Sequence, residues 1–281
     1  MMTTNESIPS YAFITGAGSG IGAEVAKRLD QKGYQLIISG SNRDKLQTLS
    51  DSLDKPAIIE VANLSDKQDL QRLCARIKQY DAIDIAFMNA GMVGIGDFSD
   101  RDADAIDKEL DVNLRSVLHL IHACIPAMKG RRRGHILATS SVGGILALPG
   151  SSVYSATKFA LRGFLCSLHQ ELQGSGVKVS GLYPGAIDTE MLRHEAVSGG
   201  SPLNFLGEPK TVEDVADVFM KTLETGQLEA YIPYSDSIST RFFSVIPWAI
   251  SKLLPRFNRA GEKGRRKFIE SRNLSIESTD S

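Results

Sequence analysis

Tyr11-Ala-Phe-Ile-Thr-Gly-Ala-Gly-Ser-Gly-Ile-Gly22 is the stretch that decides how this chain folds. Its first five residues are an apolar run that stops at a glycine-rich turn, as a buried strand does. Residues 23–31 then carry apolar side chains at helical spacing, and Gly33 suits the position just past the helix end. Strand, glycine turn and helix in this order make the first half of a dinucleotide-binding unit. The glycines let the backbone turn sharply and approach a pyrophosphate at the positive end of the helix. Gly16, Gly20 and Gly22, with an extra Gly18, depart from the commoner G-x-G-x-x-G spacing, so the flanking strand and helix carry the reading.

Outward from this turn, strands and helices alternate. Residues 35–39 read as the second strand, followed by Gly40, Ser41, Asn42 and Arg43. A carboxylate there would bind the ribose 2′-hydroxyl of NAD and repel a 2′-phosphate. The donors and positive charge of Ser41, Asn42 and Arg43 instead favour NADP(H) over NAD(H). The alternative is that Arg43, beside Asp44, is only the solvated first turn of the next helix, 43–53. A strand at 57–61 leads to Asn63-Leu64, a helix to 66–79, and a buried strand at 83–88 to Asn89-Ala90-Gly91, small residues against which a flat ring can lie. Residues 94–104 read as a polar loop and 105–128 as one long helix with Asn113 in its middle. Apolar neighbours bury part of that helix, and a buried amide needs partners. The strand at 135–139 delivers Ser140-Ser141 to its C-terminal end, where ligands of open α/β sheets sit. The apolar, glycine-rich run 142–150 can line a greasy pocket. Helix 152–173 and a strand at 177–182 follow, closed by Tyr183-Pro184-Gly185. Residues 186–210 read as one long loop of the kind that folds over a substrate, with Thr189, Met191, Leu192 and Phe205 in it. Helix 211–224 and a strand at 229–232 complete a doubly wound α/β parallel sheet of about seven strands with helices on both faces. Residues 10–232 form one domain, preceded by a flexible 1–9 and followed by an extension, 233–281.

Helix 152–173 carries Tyr154 and Lys158, four residues apart and so on one face. A lysine beside a phenol favours the phenolate and makes the tyrosine a usable proton donor and acceptor.

Composition narrows the function. The formal net charge is -1, and the basic run 129–133 reads as a solvated loop, so nucleic acid is not an expected partner. Cys74, Cys124 and Cys166 are scattered, and His119 and His122 lack a third ligand, so neither a disulfide framework nor a metal site is expected. Residues 1–9 lack an apolar signal region and no apolar run is long enough to span a bilayer, which points to a cytoplasmic protein. The extension qualifies this. Phe242, Phe243, Val245, Ile246, Trp248, Ile250, Leu253 and Leu254 precede a basic stretch with Arg256, Arg259, Lys263, Arg265, Arg266 and Lys267. Such a pair reads either as a peripheral membrane contact over 241–267 or as an apolar segment packed on the substrate loop with a solvated basic part. Residues 271–281 read as disordered.

Taken together over 10–232, these residues resemble the short-chain dehydrogenase/reductase family in its single-domain branch. Thr15 to Gly22 is similar to its T-G-x-x-x-G-x-G turn, Asn89-Ala90-Gly91 to its N-A-G, Tyr154 and Lys158 to its Y-x-x-x-K, and Pro184-Gly185 with Thr189 to its loop after the sixth strand. Asn113 and Ser141 stand where that family places a catalytic asparagine and serine. Asn63 departs from the family's usual aspartate near the adenine, and Ser41 from the arginine often seen in NADP users.

The resemblance implies hydride transfer between a nicotinamide and a carbonyl or secondary alcohol. In that scheme Tyr154 is the acid/base, Ser141 bonds the reacting oxygen, Lys158 holds the ribose and lowers the Tyr154 pKa, and Asn113 holds a water. Gly16, Ser19, Gly20, Ile21 and Gly22 would form the pyrophosphate turn, and Asn63 and Leu64 would flank the adenine. Asn89, Ala90 and Gly91 would meet the inner ribose, and Pro184, Gly185, Ile187 and Thr189 the nicotinamide end. Gly143 and Leu148 would join Ser141 and Tyr154 against the substrate. A small hydrophobic substrate, lipid-, steroid- or retinoid-like, is the expectation from 142–150 and 186–206. A 3-oxoacyl-thioester reductase is the enzyme alternative, and a non-catalytic NADP-binding sensor or scaffold the alternative of another class. The family's habit of pairing the helices at 105–128 and 152–173 implies a homodimer or homotetramer.

Overall fold

A computed structural model describes residues 10–147, 149–245 and 247–275. Its strands are β1 (Tyr11–Thr15), β2 (Gln35–Gly40), β3 (Ile58–Val61), β4 (Ile83–Met88), β5 (Gly134–Thr139), β6 (Val177–Pro184) and β7 (Glu229–Ile232). Its helices are α1 (Gly20–Gln31), α2 (Arg43–Asp51), α3 (Lys67–Ile77), α4 (Ala103–Leu110), α5 (Ser116–Arg131), α6 (Ser152–Glu171), α7 (Glu190–Val197), α8 (Val212–Thr225), α9 (Tyr234–Val245) and α10 (Pro247–Ser271). The strands form one parallel sheet in the order β3-β2-β1-β4-β5-β6-β7.

Alternation along each strand builds two cores. Phe13, Ile37, Ala86 and Ile136 face α3, α5 and α6 through Leu73, Leu120 and Leu165. Their neighbours Ala12, Ile14, Ile38 and Leu137 face α1, α2 and α8 through Leu29, Leu46 and Phe219. Strands covered on both faces need apolar residues at consecutive positions, which is why they read as unbroken apolar runs. The chain reverses its direction of build-out between β1 and β4, and the crevice at such a reversal lies beyond the C-terminal strand ends.

Three segments differ from the sequence reading. The single helix expected over 105–128 is α4 and α5 joined by a π turn at Asp111–Arg115, which includes Asn113. The long loop expected over 186–210 contains α7 and a 3₁₀ turn at Pro202–Phe205. Thr189 caps α7 by accepting from Leu192 N at 3.4 Å, and Leu192 and Ala196 bury one face of it. Short length hid this helix among polar neighbours. The basic loop expected at 129–133 begins inside the last turn of α5, and Arg131 and Arg133 close on buried Asp84 at 2.6 and 2.5 Å.

The extension folds back onto the substrate-loop region. Phe268 of α10 is buried against Phe205, ring centres 5.3 Å apart, with Leu192 and Ala196 completing the cluster. Gly261 and Gly264 bring the helix against the carbonyls of Pro202 and Phe205, where a Cβ would collide. The opposite face carries exposed Arg256, Arg259, Lys263, Arg266 and Lys267. The disorder expected from 271 does not begin there: α10 reaches Ser271, and Leu274 packs on the same cluster. Residues 1–9, 276–281, Leu148 and Ile246 lie outside the described residues, as do the side chains of Trp248 and Ile250.

Candidate active site

β1 ends in Thr15, whose Oγ1 accepts from Asn89 N at 3.0 Å and Ala90 N at 3.1 Å. Asn89 Nδ2 donates to the Gly16 carbonyl at 3.2 Å, and Thr139 Oγ1 donates to Asn89 Oδ1 at 3.0 Å. The ends of β1, β4 and β5 are thus tied through one asparagine. Gly16 has φ +63°, and a Cβ there would lie 2.8 Å from Ala90 Cα. A Cβ on Gly22 would lie 2.7 Å from Asn89 Nδ2 and collide with the Gly16 carbonyl. At the start of α1, Ser19 makes no side-chain cap and the first turn holds no acid. The N–H groups and positive end of that helix therefore face an open cradle, which fits the pyrophosphate of a dinucleotide.

The cradle opens into a cavity of about 920 Å³. Gly16, Ser19, Gly20, Ile21, Asn89, Ala90, Gly91, Ser141, Gly143, Tyr154, Lys158, Pro184, Gly185, Ile187 and Thr189 all line it. Val93, Ile95, Leu146, Leu203, Phe243, Leu254 and Phe257 supply apolar wall. Thr189 stands over Gly20, its Cγ2 3.4 Å from where a Cβ would lie.

Other expected residues do not line the cavity. Ser41, Asn42 and Arg43 are exposed just beyond β2, and Asn42 caps α2 by accepting from Lys45 N at 2.9 Å. Asn63 is exposed and turns its Oδ1 to Ser65 N and Oγ, 3.2 and 2.9 Å. Leu64 is buried in the core, so only its backbone is free to meet a ligand. Gly22 serves inside the turn. Asn113 is fully buried, its Oδ1 accepting from Met92 N and its Nδ2 donating to Met92 O, both at 2.8 Å. The amide has the partners its burial requires, and it anchors the segment after Gly91 rather than presenting its side chain to the cavity.

Ser141, Tyr154 and Lys158 converge at the end of β5. Ser141 Oγ accepts from Gly143 N at 3.0 Å and donates to the Pro184 carbonyl at 3.5 Å. Lys158 Nζ donates to the Thr139 carbonyl at 2.8 Å. Burial pushes the Tyr154 phenol up to about 12, with the carboxyls of Glu195 and Glu109 acting the same way and the Ser141 hydroxyl opposing them. Burial also brings the Lys158 amine down to about 8, against the pull of Glu109. The sequence reading that Lys158 lowers the Tyr154 pKa is therefore not what this pocket does: desolvation controls both groups.

Two participants were not visible in the sequence. Glu109 is fully buried, bonded by Arg101 Nη2 at 2.9 Å and Gly94 N at 3.2 Å, so its charge acts on Tyr154 and Lys158 from a fixed position. Glu195 of α7 lines the cavity itself. Neither lies in a motif, and only the tertiary fold brings them to the tyrosine.

The model of the short chain dehydrogenase family matches residues 10–197. The chain belongs to the short-chain dehydrogenases. This dehydrogenase is 35% identical over 181 residues to an uncharacterised oxidoreductase of Staphylococcus epidermidis, covering 64% of this chain and 79% of the relative. It superposes on a short-chain dehydrogenase from Sphingobium yanoikuyae in complex with NADPH with TM-score 0.75 and 26% identity, over 88% of this chain and 95% of that one. A bulky-bulky ketone specific alcohol dehydrogenase from Comamonas testosteroni superposes with TM-score 0.73 and 25% identity, over 87% and 94%. The dehydrogenase is thus an oxidoreductase that uses a nicotinamide cofactor on a Rossmann-type sheet.

Proposed function

We propose that this dehydrogenase interconverts bulky apolar ketones and secondary alcohols with NADP(H). The observation that carries the reading is the apolar wall of Val93, Ile95, Leu146, Leu203, Phe243 and Leu254 facing Ser141 and Tyr154 in one cavity. The likeness to an enzyme named for bulky ketones and to one in complex with NADPH supports it. So does the absence of a carboxylate among exposed Ser41, Asn42 and Arg43, although none of the three lines the cavity.

The nicotinamide, when bound, supplies or takes the hydride. Ser141 Oγ and the Tyr154 phenol hold the substrate oxygen between them, so charge developing on it meets two donors. Tyr154, kept protonated by its surroundings, gives its proton to that oxygen during reduction. Lys158 would hold the ribose of a bound cofactor, and Asn113 fixes the Met92 backbone after Gly91. Gly16, Gly20 and Gly22 would let the α1 terminus take the pyrophosphate, and Ile187 and Thr189 would meet the carboxamide.

A second groove between α5 and α6 carries Leu114, Leu118, Ile125 and Phe164 beside Asp111, Arg115, His119, His122 and Glu171, and it supports a homo-oligomer paired through these helices. Among the described residues no helix is long and apolar enough to cross a membrane. The exposed face of α9, with Tyr234, Ile238, Phe242 and Val245, supports a peripheral contact instead.

The deciding experiment titrates NADPH and NADH by fluorescence and then follows turnover of apolar ketones and 3-oxoacyl thioesters. Tighter NADPH binding with preferred turnover of bulky ketones is the expected result. Binding without turnover of any carbonyl compound would favour a sensor role, and preferred thioester turnover would redirect the assignment.

A further inference from the structure

Three acids that the hydride-transfer scheme does not use line the cavity; Glu190 and Glu208 are exposed, Glu190 paired with Lys45, and Glu195 is the half-buried one. Glu195 projects from α7 into the same space as Ser141 and Tyr154. Its Oε2 accepts from Asn204 Nδ2 at 2.9 Å. Among the described residues it joins no ion pair, and no cation acts on it. Its Oε1 is neither bonded nor sealed off by protein. The base of the side chain is fixed: Gly200 N donates to the Glu195 carbonyl at 2.8 Å, and a Cβ on Gly200 would lie 2.7 Å from Glu195 Cβ.

A carboxyl in a largely apolar cavity is costly unless something pairs with it. Burial pushes Glu195 up to about 7, opposed only by the Asn204 bond. Asn204 occupies one oxygen and leaves the other without a protein partner among the described residues. A wholly apolar ligand would strip water from that oxygen and give nothing back. A ligand with a correctly placed O–H or N–H would satisfy it.

Resting on the reductase reading above, we propose that Glu195 is a specificity-determining residue that selects apolar carbonyl compounds bearing a second, hydrogen-bond-donating group, a hydroxyl or an ammonium, remote from the reacting carbon. Asn204 is its positioning residue. The wall then has an apolar body, a reacting end at Ser141 and Tyr154, and an accepting end at Glu195. A site that must pair a buried polar group discriminates strongly against analogues lacking the partner. With Glu195 only partly sealed, the expected discrimination is about 10- to 100-fold.

The test uses the full-length protein with NADP(H) and a series of ketones of increasing chain length, each made with a terminal methyl, hydroxyl or ammonium group. Binding to the cofactor complex and kcat/KM are both measured for wild type, Glu195→Leu and Glu195→Gln. Wild type should favour a hydroxyl or ammonium ligand over its methyl twin at least tenfold at one chain length. Glu195→Leu should abolish or reverse that preference, while Glu195→Gln should keep it for the hydroxyl and lose it for the ammonium. NADPH affinity should be unchanged in both variants, which reports that they are folded. No donor preference in wild type, or an equal preference in Glu195→Leu, overturns the inference. Glu195-dependent binding without turnover of any ketone leaves the inference standing and removes the reductase reading.

Discussion

Lys158 Nζ lies 5.4 Å from the centre of the Tyr154 ring and gives its hydrogen bond to the Thr139 carbonyl, not to the phenol. The two side chains share a face of α6, but the amine is drained of basicity by burial while the phenol is made harder to ionise. The ammonium form of Lys158 is present below its value of about 8 and lost above it. If the ammonium is needed to hold the cofactor ribose, kcat/KM for reduction falls about tenfold per pH unit above that value. Tyr154 stays protonated throughout this range and adds no second limb. Tyr154→Phe should abolish turnover while leaving NADPH binding within about twofold of wild type. Pre-steady-state and pH–rate measurements on both forms check this, and turnover retained in Tyr154→Phe would remove the proposed acid.

The glycine turn makes a sharper prediction than its flexibility suggests. Gly22→Ala places a methyl against the Gly16 carbonyl and 2.7 Å from Asn89 Nδ2, and neither is free to move. NADPH affinity should fall at least tenfold and Tm should drop. Gly33→Ala is the control: its φ of +88° penalises a side chain, but open space surrounds it. It should lose about 1–2 kcal/mol of stability and no cofactor affinity. Calorimetry and fluorescence titration separate the two effects.

What was legible in the sequence was whatever local pattern enforces. Strands such as Ile83–Met88 show as apolar runs because both faces of the sheet are covered, and Gly16 to Gly22 show because only glycine tolerates that turn. Six short motifs in order were enough to bring Ser141, Tyr154 and Lys158 into one cavity. Long-range consequences were not legible. Residues 111–115 look helical to any periodicity test, yet the π turn there sends Asn113 to the backbone of Met92. Asn63 has a chemically suitable side chain for adenine, but a local turn with Ser65 uses it. Glu109 and Glu195 set the field around Tyr154 from helices that no motif marks.

His135 on β5 gives the fold an acid limit. Ser180 Oγ donates to the Gln227 carbonyl at 2.6 Å, so His135 Nε2, 2.8 Å from that hydroxyl, must be the donor to it. Burial, with Lys178 nearby, lowers the His135 pKa from 6.5 to about 4, so near neutrality the ring is uncharged with its proton on Nε2. Between these values the unfolded chain binds a proton that the folded chain refuses, so stability is complete above about 6.5 and falls as pH drops toward 4. The loss should amount to about 3 kcal/mol. His135→Gln should flatten this part of the stability curve. Urea unfolding at successive pH values reads it directly, and an unchanged slope in the variant would exclude His135 as the source.

Phe268 ties the extension to the substrate region, and its removal should be felt in the cavity. It is 6% exposed and packs on Phe205, beside the turn that carries Leu203 and Asn204. Phe268→Ala should cost about 3 kcal/mol, most of it as local loosening of α10 and the Pro202–Phe205 turn. KM for apolar ketones should rise several-fold with NADPH affinity unchanged, because the cluster around Phe268 includes no residue of the Gly16–Gly22 turn. Hydrogen exchange should quicken over 202–206 and 257–271 but not in β1 or α1. Uniform acceleration across the chain would mean that the extension supports the whole fold rather than one wall of the pocket.

The outward face of α9 bears on where the pocket receives its substrate. Tyr234, Ile238, Phe242 and Val245 recur at helical spacing and are all more than 60% exposed, while Phe243 of the same helix lines the cavity. Solvated basic residues Arg256, Arg259 and Lys263 follow on α10. If this face rests on a membrane surface, the protein should sediment with vesicles containing anionic lipid. Ile238→Asp with Phe242→Asp should weaken sedimentation at least tenfold, and salt should weaken what remains. Turnover of a water-soluble ketone should be unaffected by the double variant, whereas turnover of a vesicle-bound one should fall with binding. Equal sedimentation of both forms would assign this face to protein rather than lipid, and analytical ultracentrifugation of the pair would then show whether a second copy covers it.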